Sequence, residues 1–150
     1  MSAFPIFVAL VLHLLSPSPR GGSSESDNRF VKVEASLANT LFHPGDKGKI
    51  LVSFTPIDGI HINIDPPVEL KIKKNSLIDL RGQPDMTADK ETGFLSAVNP
   101  VEQSFSISTK AAPGTHSITG TITYFFCSDI EGWCRKQSQP VRLTLNIRRP

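Results

Sequence analysis

The sequence has little cysteine, tryptophan and tyrosine, and almost no net charge. Its 150 residues include 2 Cys, 1 Trp and 1 Tyr, and 16 Lys plus Arg against 14 Asp plus Glu give a formal charge of +2. Two cysteines exclude a disulfide-dense scaffold and a four-sulfur metal site within this chain, but they suffice for one disulfide. The charge surplus is too small to make a nucleic acid the expected partner. The length fits one domain, or one domain plus a tail.

Long apolar runs are also missing. The most apolar stretch, Phe4 to Leu15, is shorter than the roughly eighteen residues that a membrane-spanning helix needs. Because a polar, helix-breaking stretch follows it at 16–24, the pattern is typical of a secretory signal peptide. No Lys or Arg precedes the run, and a hydrophobic first strand is the alternative. We predict an exported, periplasmic chain that does not span a membrane, with a signal peptide at 1–23, a polar linker at 24–29 and a folded domain at 30–150.

From residue 30 onward, apolar residues recur with a period of two, and Gly- or Pro-containing breaks interrupt the runs. This pattern is typical of an all-β sandwich or barrel. Residues 75–100 lose the alternation, and a loop of that length in a compact domain is either functional or mobile. No segment has a helical period. The sequence therefore predicts an immunoglobulin-like β-sandwich of about seven to nine strands.

The strand pattern is interrupted around the two cysteines. Six residues lie between Cys127 and Cys134, enough for a hairpin-like loop whose arms bring the sulfurs within bonding distance. The parity of the preceding strand points Phe126 to the core and places Phe125 and Cys127 on the other face, where earlier positions are all Ser or Thr. A functional surface is therefore expected at this end of the strand.

Two interpretations of the cysteine pair remain open. A structural disulfide closing so short a loop would stabilise the fold by roughly 2 to 3 kcal/mol. A reversible dithiol is the alternative, because a bond near a rim, beside Phe125 and Trp133, is accessible to another protein's thiolate.

Charges near the cysteines distinguish the two sulfurs. Arg135 and Lys136 follow Cys134 directly and are expected to favour its thiolate. Asp129 lies two residues from Cys127 and is expected to oppose ionisation there. Cys134 is therefore the candidate for the sulfur that forms an intermolecular bond.

Three pieces of sequence, in this order, carry a family resemblance. They are Gly59–Asn63 followed by Pro66-Pro67, Gly120–Tyr124 leading into Cys127, and Gly132–Cys134 followed by the strand Pro140–Leu145. Together, over about residues 30–148, they resemble the N-terminal, immunoglobulin-like domain of the thiol:disulfide interchange protein DsbD, which is periplasmic in Gram-negative bacteria.

The resemblance implies that Cys127 and Cys134 exchange electrons with thioredoxin-like proteins or a membrane electron-transfer protein and with disulfide-bearing partners. It implies that Cys134 forms the mixed disulfide and that Phe94 matches the aromatic cap with which the family covers its cysteines. Tyr124, Phe125 and Trp133 would then complete the contact surface, and the chain would be a component of a protein-disulfide reductase.

Two features depart from the family. The cysteine spacing is one residue longer than usual, and Arg135-Lys136 stands where proline is common. The competing hypothesis is therefore that the chain has kept the fold but lost thiol–disulfide exchange. It would be a non-catalytic binding or adaptor sandwich, with a structural disulfide and a partner at a sheet edge or at the aromatic rim.

Other chemistries have little support in the sequence. His43, His61 and His116 lie in different segments, away from metal-ligand spacing with either cysteine, so turn or surface roles are expected and no metal is predicted. Gly-x-Ser-x-Gly, Ser-x-x-Lys and phosphate-cradling glycine motifs do not occur. Thiolate exchange needs no cofactor, and none is predicted.

Overall fold

Nine β-strands and no helix make up the part of the chain described by the computed structural model, residues 29–75 and 77–149. The strands are β1 Val31–Leu37, β2 Leu41–Phe42, β3 Lys47–Pro56, β4 Ile60–Ile62, β5 Glu69–Ile72, β6 Ile78–Asp85, β7 Val101–Ile107, β8 Gly114–Ser128 and β9 Trp133–Ile147. The predicted signal peptide and all but the last residue of the predicted linker lie outside the described residues.

The strands form two sheets with immunoglobulin topology. One sheet has the order β1-β3-β7-β6, and the other has the order β2-β9-β8-β4, with β5 also paired to β8. In the immunoglobulin fold, strands A, B, E and D form one sheet and C, F and G form the other. Here β1, β3, β7 and β6 occupy the first four places, β4 and β5 together form strand C, and β8 and β9 are F and G. The predicted all-β, immunoglobulin-like sandwich is confirmed.

The core lies between the sheets and follows the period-two pattern. Ile122 and Tyr124 of β8 are 0% exposed, and Ile50 of β3 and Leu145 of β9 are likewise fully buried. Each side chain of this kind contributes about 1.5–3 kcal/mol through the burial of its apolar surface. The even positions of β8 therefore face inward, as the alternation predicts.

The structure corrects the interpretation of residues 75–100 as one long irregular segment. Residues Ile78–Asp85 form edge strand β6, which pairs antiparallel with β7. The pairing register shifts between Arg81 and Asp85, and Gly82, at φ 68°, and Pro84 lie within that shift. Proline is tolerated on edge strands and at bulges, so these two residues mark an irregular edge rather than a loop.

The hairpin of β8 and β9 is longer than the apolar pattern predicts. Strand β9 begins at Trp133, whereas the apolar alternation begins at Val141. Between them, the inward alternate positions include Gln137 and Gln139, which are half-buried but polar. This stretch is a strand because it stays paired with β8 throughout, although its sequence lacks an apolar alternation.

Candidate functional site

The β8–β9 hairpin places the two cysteines directly opposite each other. Cys127 and Cys134 are partners in the register, their Cα atoms are 4.0 Å apart, and their sulfurs are bonded at 1.97 Å. The turn between the strands ends at Gly132, whose φ of 68° is a left-handed conformation that glycine adopts without strain. The Gly132 N–H donates to the carbonyl of Ser128 at 2.9 Å and closes this turn. The expected disulfide is confirmed.

The two bonded cysteines differ in exposure because their strands have different neighbours. Cys127 is 6% exposed, whereas Cys134 is exposed. Strand β8 lies between β9 and β4, so Cys127 is flanked by Cys134 on one side and by His61 on the other. Asn63 Oδ1 also lies 3.4 Å from the Cys127 sulfur. At this end of β9, no strand among the described residues pairs on the side away from β8.

A histidine beside Cys127 belongs to the site, although its position in the sequence did not indicate this. His61 Nδ1 lies 3.1 and 3.2 Å from the two carboxylate oxygens of Asp129. The His61 ring stacks on Phe94, with ring centroids 3.5 Å apart and an interplanar angle of 14°. The histidine side chain is only 15% exposed as a result. Phe94 therefore covers the neighbour of Cys127, and Asp129 is engaged with His61.

A tight turn holds Phe94 in this position. The Asp89 carboxylate accepts hydrogen bonds from the backbone N–H groups of Glu91 at 3.0 Å and Thr92 at 2.9 Å, and from the Thr92 hydroxyl at 3.0 Å. The bonds from Thr92 and then that from Glu91 lower the pKa of Asp89 below its ordinary value. Because the folded pKa is the lower one, the ionised carboxylate supports this turn at neutral pH, and that support is lost only as the pH falls through the folded pKa.

The segment after the turn is attached to the edge of the sheet. The Leu95 N–H donates to the carbonyl of Ile62 in β4 at 2.9 Å, and the Leu95 side chain is buried. Ala88 and Leu95 also form an isolated antiparallel bridge. Phe94 is thus carried on a short segment anchored to β4, within a region whose sequence lacks the alternation of a strand.

Two other predicted residues share the face of the disulfide. Phe125 lies two residues before Cys127 on β8 and is half-buried. Lys136 lies opposite Phe125 in the register, with its Nζ 5.8 Å from the Phe125 ring centroid. The structure therefore brings Cys127, Cys134, Phe125 and Lys136 onto one face, with Phe94 at its edge.

Tyr124 lies on the opposite face, in the core. Its side chain is 0% exposed and packs edge-to-face against Phe54 at a centroid distance of 5.1 Å. The Tyr124 hydroxyl donates to Gln139 Oε1 at 3.3 Å. The expectation that Tyr124 shapes a contact surface is therefore corrected: even positions of β8 face inward, and a partner cannot contact this ring.

Trp133 and Arg135 flank Cys134 in the sequence, but their side chains lie on the opposite face of β9. Trp133 packs edge-to-face on Phe30 and Phe126, with centroid distances of 5.3 and 5.7 Å. The Arg135 guanidinium carbon is 4.2 Å from the Trp133 ring centroid. Both belong to the inward-facing positions of β9, so the expected contact role of Trp133 and the expected effect of Arg135 on the Cys134 thiolate are not supported by this geometry. Lys136 remains as the cation on the disulfide face.

Comparisons with known proteins identify no family. No family model matches the chain, and no curated protein matches it in sequence. Among solved structures, it is similar to AggA, the major subunit of aggregative adherence fimbriae type I from Escherichia coli, with a TM-score of 0.43 and 12% identity over 79% of this chain and 95% of that chain. It is also similar to the ZirS C-terminal domain, with a TM-score of 0.38 and 13% identity over 99% of this chain and 87% of that chain. Similarities this weak carry no functional argument, and the resemblance to the DsbD domain stays a prediction.

Two further observations concern metals and membranes. Within residues 29–75 and 77–149, no three His, Cys, Asp or Glu side chains are grouped so that they could hold a metal ion. The same part of the chain contains no helix that is both long enough and apolar enough to cross a membrane.

Proposed function

We propose that the chain is an exported thiol–disulfide exchange module that passes electrons between a thioredoxin-like donor and disulfide-bearing partner proteins. The observation that carries the proposal is the unequal exposure of two bonded cysteines beside the turn of a hairpin. Cys134 is exposed and accessible to the thiolate of another protein. Cys127 is buried beside it, next to His61. A disulfide persists in oxidising compartments, which supports export.

The exchange would proceed in two substitutions at sulfur. In the reduced chain, the Cys134 thiolate attacks a partner disulfide, and one partner cysteine leaves as a thiolate. The Cys127 thiolate then attacks the Cys134 sulfur and displaces the second partner thiolate. The Cys127–Cys134 bond re-forms, and two electrons have passed to the partner. A thioredoxin-like donor reduces the pair again by the reverse steps, so no cofactor is consumed.

The geometry supports this division of roles. Lys136 shares the face of Cys134 and is placed to favour its thiolate. Cys127 is flanked by His61 and lies close to Asn63, so a second protein has less room to reach it. An intramolecular attack on Cys134, its cross-strand partner, needs no such room.

The reduction potential tests the proposal against a structural disulfide. We expect a potential above about −300 mV, measured by equilibration with thioredoxin or glutathione buffers and quantified by alkylation and mass spectrometry. A potential below that value, with no exchange against thioredoxin, would instead support the adaptor hypothesis. In that case the disulfide only joins two strands that are already paired along their whole length.

Removal of the Phe94 ring should expose Cys127. In a Cys134→Ala background, where Cys127 is the single thiol, we expect Phe94→Ala to increase the rate of alkylation by iodoacetamide severalfold, because the ring covers the adjacent His61. Val98→Ala is the matched control, since Val98 follows in the same segment and is 88% exposed. Equal rates for Phe94→Ala and Val98→Ala would show that the ring does not shield this sulfur.

A further inference from the structure

The outer face of the sheet that carries the disulfide is unevenly charged. It is formed by the outward side chains of β5, β8 and β9 and by the residues that directly follow β5 and β8, and we call it the basic face. Its cations are Lys71, Lys73, Lys136 and Arg142, and its carboxylates are Glu69 and Asp129. Four cations and two carboxylates leave a net charge of +2 on this face.

The outer face of the other sheet is neutral by the same count. Its cations are Lys32, Lys47, Lys49 and Arg81, and its carboxylates are Glu34, Asp79, Asp85 and Glu102. Three ion pairs, Lys32–Glu34, Lys49–Glu102 and Arg81–Asp79, neutralise most of this face locally. Of the two outer faces, only the one that carries the disulfide therefore has a net positive charge.

Most cations of the basic face have no carboxylate partner. Its two carboxylates are already engaged, Glu69 with Lys71 at 2.9 Å and Asp129 with His61. Lys73, Lys136 and Arg142 form no ion pair with any residue in 29–75 or 77–149. Unpaired cations on an exposed surface attract an acidic partner over about one Debye length, roughly 8 Å at physiological salt.

The centre of the basic face is lined with hydroxyl groups. The outward residues along β8 before Phe125 are Thr115, Ser117, Thr119, Thr121 and Thr123. Because these side chains are short, the longer Lys and Arg side chains extend further from the sheet. Arg142 lies opposite Thr119 in the register, and the Lys73 N–H donates to the Thr119 carbonyl at 2.9 Å. Arg142 and Lys73 therefore flank Thr119, with their backbones about 10 Å apart by the usual strand spacing.

We propose that the basic face docks an acidic protein surface, namely that of the partner with which the disulfide exchanges; this inference rests on the proposed function. Lys136 lies two residues from Cys134, and Arg142 lies about 27 Å from it along β9. A standard interface buries about 800 Å² on each partner, which spans this distance. A partner whose carboxylates meet Lys73, Lys136 and Arg142 is oriented with its own cysteine towards Cys134.

Binding without exchange is tested first on the oxidised chain. The probes are two peptides of equal length that lack cysteine, one rich in Asp and one rich in Lys. We expect the acidic peptide to shift the amide resonances of Lys73, Thr119 and Arg142 at low ionic strength, and the basic peptide to leave them unchanged. Shifts from both peptides, or shifts confined to the other sheet, would overturn the docking face.

Charge reversal identifies the residues responsible. The double variant Lys73→Glu/Arg142→Glu should weaken binding of the acidic peptide by about tenfold or more, whereas Lys32→Glu/Lys47→Glu, on the neutral face, should change it less than about twofold. An equal loss in both variants would show that only net charge matters. Tighter binding to phosphatidylglycerol vesicles than to the acidic peptide would assign the face to a lipid surface and overturn the protein partner.

Exchange is tested second, with disulfide-bearing versions of the two peptides and the reduced chain. The acidic peptide should be reduced about tenfold faster at low salt, and its advantage should disappear at high salt. Equal rates for the two peptides would contradict the docking face but not the exchange. Binding of the acidic peptide without reduction of either peptide would contradict the exchange but not the docking face.

Discussion

The variant Cys127→Ala should form a mixed disulfide rapidly with a thioredoxin-like protein, and Cys134→Ala should form little. The partner carries a single cysteine activated as a mixed disulfide with a chromophoric aromatic thiol, so each reaction releases colour. We expect the Cys127→Ala variant, which retains the exposed Cys134, to react more than about tenfold faster. The partner reaches the exposed Cys134 more easily than the buried Cys127, and the positive charge of Lys136 lies on the same face.

Denaturant provides the control for this comparison. In the unfolded chain the strand neighbours no longer cover Cys127, so both variants should react at similar rates. A difference that persisted in denaturant would come from local sequence and not from the fold. Equal trapping by the two folded variants would overturn the assignment of Cys134 as the attacking sulfur.

Replacing Tyr124 by alanine should be far more damaging than replacing its neighbour Phe125. Tyr124 is fully buried against Phe54 and Phe126, so Tyr124→Ala should lower the free energy of unfolding by about 3–5 kcal/mol. Phe125 is half-buried on the outer face, and its replacement should cost about 1 kcal/mol. Chemical denaturation monitored by Trp133 fluorescence measures both values.

The conservative variant Tyr124→Phe separates packing from hydrogen bonding. It keeps the ring and removes the bond to Gln139, so a loss of about 1 kcal/mol is expected. If Phe125→Ala proved as destabilising as Tyr124→Ala, the assignment of the two faces of β8 would be wrong. That result would also remove Phe125 from the surface beside the disulfide.

Much of the sandwich could be predicted because one face of each strand is buried. The alternation along β1, β3, β8 and the second half of β9 is visible in the sequence, since side chains on a strand alternate between core and solvent. The same parity correctly placed Phe126 inside and Cys127 on the outer face. Strand β6 was missed because its glycine and proline are typical of loops, and only pairing with β7 shows that it is an edge.

The candidate site could be predicted only in part, because its members come from separate segments. Cys127 and Cys134 are close in sequence, so their pairing follows from a hairpin. His61 and Asp129 are 68 residues apart, and nothing local connects either of them to Phe94. Their contact depends on the register of β4 against β8 and on the anchoring of the Phe94 segment to β4.

The sequence by itself determined the β-sandwich, the parity of β8 and the opportunity for one disulfide, because periodicity and short-range spacing are local properties of a chain. The tertiary structure decided which cysteine is buried, that Arg135 lies on the face of Trp133 and not on that of the disulfide, and that unpaired cations from β9 and from the residue after β5 share one face. These depend on strand order and register, which bring residues together across long separations and are set by the packing of the two sheets.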